Sequence, residues 1–242
     1  MPVFQLSDTI YFPPPELARE DGLLAVGGDL SPERLLLAYQ MGIFPWYADG
    51  DPILWWAPSP RLLLYPRDFH LSRRLERQLK KDIFNFTIDT DFYAVITACA
   101  RIRTEQQQPT WIDLEMIEAY CRLHELGYAH SVECWQQGAL VGGLYGVSVG
   151  GIFFGESMFS RVANSSKASL AILAHHLADW GFDAIDCQMR TEHLISLGAS
   201  EVSGRQFFAI LQKSILRPDR RGKWELDVAS NTQKFTPAGQ EI

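Results

Sequence analysis

Between Ala129 and Ser160 the chain reads as three strands. Apolar and small residues run through Ala129 to Gln136, Ala139 to Val149 and Gly151 to Ser160, interrupted only by Gln137-Gly138 and Gly150, and this predicts an antiparallel meander. Upstream the period changes. Leu71, Leu75 and Leu79 recur at every fourth position and predict a helix over Leu71 to Lys81, followed by a strand from Phe84 to Ile88. Helices are predicted over Asp91 to Arg103 and over Ile112 to Leu126, the second closed by Gly127. Downstream of the meander come a helix over Ser165 to Trp180, closed by Gly181, a strand from Asp183 to Gln188 and a short helix from Glu192 to Leu197.

The first sixty or so residues have a different texture. Pro13-Pro14-Pro15 argues against local helix, Gly27-Gly28-Asp29 signals a turn, and Ser31-Pro32-Glu33 opens a helix to Gln40 with Ser31 as cap. The following stretch to Arg61 combines Trp46, Trp55 and Trp56 with prolines and reads as a rigid aromatic loop, with at least one indole expected to face a cleft. A small N-terminal domain (1–62) and a larger one (63–242) are expected. In the larger one, three antiparallel strands, a helix and a further strand follow the order of CoA-type N-acetyltransferases. The predicted class is therefore α+β: a GNAT-like mixed sheet flanked by helices. The polar segment from Arg217 to Ile242 shows no period and reads as a tail.

Two of the predicted strands carry polar groups that an apolar interior normally excludes: Glu156 in GGIFFGESMFS, and Asp186 with Gln188 in IDCQ. A right-handed crossover through the intervening helix brings the ends of both strands to one side of the sheet, so these groups can share a cleft. Period two places Asp186 and Gln188 on one face, where the carboxylate can fix the amide by hydrogen bonding and leave its oxygen to accept an amine N–H. The competing reading of Asp186 is a cap for the next helix.

A formal net charge of −7 argues against a generic nucleic-acid binder, yet Arg73, Arg74, Arg77, Lys80 and Lys81 gather on one helix face. That face is either a solvated stripe or a dock for a polyanion. No apolar run is long enough to span a bilayer and no signal peptide is evident, so a cytoplasmic location without membrane contact is expected. Cys99, Cys121, Cys134 and Cys187 form no CxxC pair, and no metal site is predicted. Phosphate-loop, HExxH and GxSxG motifs are missing, and Cys187 with His193 makes a poor nucleophile-base pair.

Taken together, GLLAVGGDL, the run from Gly42 to Arg61, Trp111-Ile112, YCRLHELGYAHSVE, LVGGLYGVSVGGIFFGESMFS, NSSKASL and DCQ with HLISLGA closely resemble the leucyl/phenylalanyl-tRNA–protein transferase family over about residues 3 to 211. The resemblance implies a fold used without CoA or any other cofactor. It also implies transfer of Leu or Phe, and less well Met, from aminoacyl-tRNA to proteins with N-terminal Arg or Lys, creating an N-degron for proteolysis. Asp186 and Gln188 match the family's catalytic pair, joined here by Glu156. Leu144, Phe153, Gly155, Ser157, Met158, Leu170, Leu173 and Ile185 match its aminoacyl pocket. Trp46 and Trp111 match aromatics that hold the terminal adenosine, and the basic helix face becomes a tRNA contact. A monomer is expected. The shared fold keeps a CoA-dependent N-acetyltransferase as an alternative, and a non-catalytic tRNA-binding adaptor is a third.

Overall fold

The computed structural model of the chain describes residues 3–81, 83–105, 107 and 110–226. The N-terminal part builds a four-stranded sheet from β1 (Phe4–Leu6), β2 (Leu23–Gly27), β3 (Phe44–Pro45) and β4 (Leu54–Trp56), in the order β1-β2-β4-β3. Between β2 and β3 lies α1 (Pro32–Gln40), which opens with proline where no intrahelical N–H is needed. Ser31 precedes it but does not cap it through its side chain. Its backbone N–H donates to Asp29 Oδ1 at 2.9 Å instead. The proline run also differs from expectation, since Pro15–Leu17 forms one 3-10 turn with Pro15 at its permissive first position.

The central sheet has seven strands: β5 (Arg61–Leu64), β6 (Asn85–Ile88), β7 (Ala129–Gln136), β8 (Ala139–Val149), β9 (Ile152–Ser160), β10 (Ala184–Asp186) and β11 (Ser200–Val202). They lie in the order β11-β5-β10-β9-β8-β7-β6. β7, β8 and β9 form the antiparallel meander, and β10 then pairs parallel to β9. The connection between them is a long helix over Ser165–Asp179. Four helices precede it in the chain: α1, α2 (Arg73–Leu79), α3 (Phe92–Glu105) and α4 (Leu114–Glu125), so it is α5. α6 (Glu192–Ile195) and α7 (Gly204–Ser214) follow.

Period two along the strands divides the interior. Leu63, Tyr145, Val147 and Phe154 face a core shared with α1, α3, α4, α7 and the N-terminal sheet, while Leu62, Leu64, Leu144, Phe153 and Ile185 face a second core with α2 and α5. Most of the α5 surface is buried, as expected of a crossover helix that packs into a core.

Several boundaries moved from the sequence expectation. α2 starts at Arg73 because Ser72 caps it, its hydroxyl accepting from Leu75 N–H at 3.3 Å; Asp113 likewise starts α4 by accepting from Met116 N–H at 2.7 Å. α7 was not anticipated, although Ser203 and Gln206 make a capping box whose S-x-x-Q spacing stands in the sequence. The C-terminal segment is no loose tail as far as residue 226. Trp224 is buried, its ring stacked on His130, and Asp219 and Arg221 bond the backbone of Gly150 and Leu126. Residues 227–242 of that expected tail lie outside the described residues.

Candidate active site

The site begins with a defect in pairing. Along β8 and β9, Tyr145 faces Ser157 but Gly146 faces Gly155, which leaves Glu156 without a partner: a β-bulge. The bulge depends on Gly146, because a Cβ there would fall 2.2 Å from the Phe154 carbonyl oxygen. It also reverses parity, so that Phe153 and Met158, an odd and an even position, both share a face with Ser148 and Leu144. Unbroken alternation would have separated them.

A second irregularity opens the sheet. β10 pairs with β9 only as far as Asp186 opposite Phe154, and Gln188 then takes a left-handed backbone conformation (φ 58°) that turns the chain away. Strand β9 continues to Ser160 paired with β8 but no longer with β10. A cavity of about 440 Å³ occupies the opening, bordered on one edge by Gly155, Glu156, Ser157 and Met158 and on the other by Cys187, Gln188 and Met189. Leu144, Phe153, Leu170, Leu173 and Ile185 give it an apolar wall, with Leu170 and Leu173 three apart on one face of α5. All eight residues expected around an aminoacyl pocket thus border one hollow.

Glu156 sits partly buried at the edge of this hollow. Its Oε1 accepts from Tyr39 Oη at 2.8 Å and from Gln188 Nε2 at 3.3 Å, while Oε2 accepts from Tyr120 Oη at 3.1 Å. The two phenols also contact each other. Burial away from water dominates the carboxyl's proton affinity and, despite the two phenol bonds that pull the other way, raises its pKa from 4.5 to about 7. Asp186 adds to the rise and Arg61 opposes it.

Asp186 is arranged differently from expectation. Its carboxylate is fully buried and gripped by Arg61, whose Nε lies 2.9 and 3.0 Å from the two oxygens and whose Nη2 lies 2.7 Å from Oδ2. The guanidinium in turn lies over the rings of Phe44 and Phe207, at 4.9 and 4.6 Å. Asp186 does not fix the Gln188 amide, as the alternation of a longer strand had suggested. It accepts the Gln188 backbone N–H at 2.9 Å, stabilising the left-handed turn, and the amide N–H goes to Glu156. Cys187 packs against the same core as Ile185 and borders the cavity, as does His193, but burial raises the thiol's pKa well above its ordinary value.

Trp46 and Trp111 stand where this cavity meets a second, also of about 440 Å³, lined by Trp46, Tyr47, Leu54, Trp56, Thr110 and Trp111, with Arg103 bordering both. Trp46 is 37% exposed and edge-on to Trp56, whereas Trp55 is fully buried against Phe12. Arg73, Arg74, Arg77, Lys80 and Lys81 do not reach either cavity. They lie on α2 and its C-terminal end, while Leu75 packs inward and Gln78 ties the helix to Ala163 and Asn164 at the start of α5.

Arg61, Tyr39 and Tyr120 were missed from sequence. Arg61 left a faint signal, as the lone charge on the short apolar strand β5 with Asp186 the lone charge on β10, two strands that turn out to be adjacent. The tyrosines left none. Among the described residues no cluster of His, Cys, Asp and Glu could hold a metal ion, and no helix is long and apolar enough to cross a membrane.

A meander, a crossover helix and a parallel strand that parts from its neighbour to form an apolar cavity define a GNAT-like protein. A family model described as leucyl/phenylalanyl-tRNA protein transferase matches residues 63–212, and one for the N-terminal domain of that family matches residues 28–59. A leucyl/phenylalanyl-tRNA–protein transferase of Syntrophus aciditrophicus is 57% identical over 224 residues, covering 93% of this chain and 94% of the relative. One of Desulforapulum autotrophicum is 54% identical over 224 residues, covering 93% and 98%. The structure of L-PGS from Bacillus licheniformis is similar at 12% identity with a TM-score of 0.38, covering 82% of this chain and 66% of that one. The chain belongs to the leucyl/phenylalanyl-tRNA protein transferase family, a family of aminoacyltransferases.

Proposed function

We propose that this protein moves leucine or phenylalanine, and methionine less well, from aminoacyl-tRNA to the N-terminal Arg or Lys of acceptor proteins, giving them an N-terminus that marks them for degradation. The observation that carries the reading is the apolar cavity with an acid at its edge. Leucine and phenylalanine are unbranched at Cβ and fit a hollow walled by Phe153, Met158, Leu170, Leu173 and Ile185, with Gly155 leaving room. Shape discriminates by about 1–3 kcal/mol per methylene, which leaves methionine as a poorer substrate rather than an excluded one. The adjoining aromatic cavity takes the terminal adenosine, stacked on Trp46 and Trp111, and the basic face of α2 meets the tRNA backbone.

The donor ester is already activated, so the work of the site is to align ester and amine. Glu156 receives the acceptor's cationic side chain. Gln188, its amide N–H committed to Glu156 and its backbone pinned by Asp186, presents its carbonyl oxygen to the attacking α-amine. The C–N bond forms, the bond from acyl carbon to ribose oxygen breaks, and the amine's proton passes to the departing ribose by way of its neighbouring hydroxyl. The protein acts as a cytoplasmic monomer. Mixing labelled Phe-tRNA with a protein that begins with Arg tests this directly: label is expected on that protein and not on a Met-starting control. Equal labelling of both, or of neither, refutes it.

A further inference from the structure

Tyr39 Oη, Tyr120 Oη and the Glu156 carboxylate make three contacts at hydrogen-bond distance: phenol to phenol, and each phenol to one carboxylate oxygen. Each contact needs its own proton. The two phenols supply one each, so an ionised Glu156 would leave one of the three contacts without hydrogen, two oxygens facing each other in a buried setting. A neutral Glu156 completes the set by reversing one of the two phenol–carboxylate bonds: the acid donates to one tyrosine, which donates to the other, which donates back to the second carboxylate oxygen. Both phenols resist ionising themselves, chiefly because burial disfavours their charged form.

Resting on the reading of Glu156 as the partner of the acceptor's cation, we infer that the free protein holds this ring closed with three protons, and that an N-terminal Arg or Lys expels one of them as it binds. Acceptor binding and proton release become one event. Opening the ring costs the closing hydrogen bond, and only a permanent cation placed at Glu156 compensates it, so Tyr39 and Tyr120 act as positioning residues that make the site selective for charge. The raised pKa of Glu156 agrees with the proton count. The other charged or titratable groups acting on Glu156 are Asp186 and Arg61, which are locked to each other. Tyr145 is buried close by, and His193 borders the same cavity.

Calorimetric titration of the full chain with a short peptide beginning with Arg, in buffers of differing ionisation enthalpy, counts the protons. Relative to Glu156→Gln, wild type should release up to about one additional proton per peptide at roughly pH 6, falling towards none by roughly pH 8.5. His193 and the peptide's own amine are the same in both proteins and cancel. Tyr39→Phe keeps the ring's carbon packing but removes the phenol-to-phenol contact, so Tyr120 alone satisfies an ionised Glu156, no third proton is needed, and the pH at which the release disappears should move downward. Peptide binding that depends on Glu156 without extra proton release, or a Tyr39→Phe profile identical to wild type or moved upward, overturns the proton ring and leaves the assignment of Glu156 to the cation intact. Equal affinity of wild type and Glu156→Gln for peptides beginning with Arg and with Gly overturns both.

Discussion

Arg61 and Asp186 hold each other at 2.7 to 3.0 Å with both side chains fully buried, one at the start of β5 and the other at the end of β10. Removing one member strands a charge in the interior, which typically costs about 3–5 kcal/mol. Asp186→Ala should therefore lose stability as well as transfer, and denaturant unfolding will register the difference. Pairing Asp186→Leu with Arg61→Met should recover much of the stability without restoring transfer. An Asp186→Ala protein as stable as wild type would show that the pair is not structural.

Gly146 and Gly155 face each other across β8 and β9 yet serve different ends. A Cβ at Gly146 collides with backbone, so Gly146→Ala should break the bulge and cost more than about 3 kcal/mol. At Gly155 the nearest atoms to a Cβ are 3.6 and 3.8 Å away, an ordinary contact. Gly155→Ala should fold normally but narrow the cavity, lowering kcat/KM for Phe-tRNA about tenfold or more relative to Leu-tRNA.

Glu156 also sets a pH dependence of stability. Its pKa is raised from 4.5 to about 7 in the fold, chiefly by burial. Below about pH 4.5 it is neutral both folded and unfolded; as pH climbs towards 7 only the unfolded chain releases its proton, so the fold loses stability, and above that the loss levels off. Unfolding free energies measured across this window should fall in wild type. In Glu156→Gln this component should be missing.

Trp224 closes the second core, stacked on His130 at 3.6 Å and edge-on to Trp180 at 4.9 Å, while its backbone N–H donates to Asp89 at 2.8 Å. Trp224→Ala should cost about 3–5 kcal/mol by thermal or chemical unfolding. Ending the chain at residue 216 should cost more, because it also removes Asp219 and Arg221.

Neutralising Arg73 and Arg77 leaves both cavities untouched. Affinity for tRNA should fall, with the salt dependence of log K shallower by about 0.7–0.9 for each phosphate that no longer meets a cation. Transfer from phenylalanyl-adenosine should persist at the wild-type rate.

The meander and α5 were legible because alternation, glycine turns and a long apolar helix each mark themselves in composition. The cavity wall was legible through the resemblance to the family, since period two alone would have put Phe153 and Met158 on opposite faces; the bulge that unites them is a register effect between strands. The N-terminal strands are two to five residues long, too short for a period to show. Tyr39 and Tyr120 occupy the buried stripes of α1 and α4, where a tyrosine reads as core and its hydroxyl's partner is invisible. A buried carboxylate on a strand is also an imperfect sign of chemistry. Glu133 on β7 is one, yet it is satisfied by the hydroxyls of Thr87 and Ser131 and lies outside the cavity.

The core that α1 shares with α4 and α7 joins the stretches matched by the two family models, with Tyr39, Phe44 and Tyr120 packed into the same interior as Phe207 and Leu211. Cutting the polypeptide near residue 60 would give halves that each display a greasy scar, one keeping Tyr39 and the other Glu156 with Tyr120 and Gln188. Expressed together, such halves would be natural complementation fragments, whose reunion could be read out as recovered aminoacyl transfer.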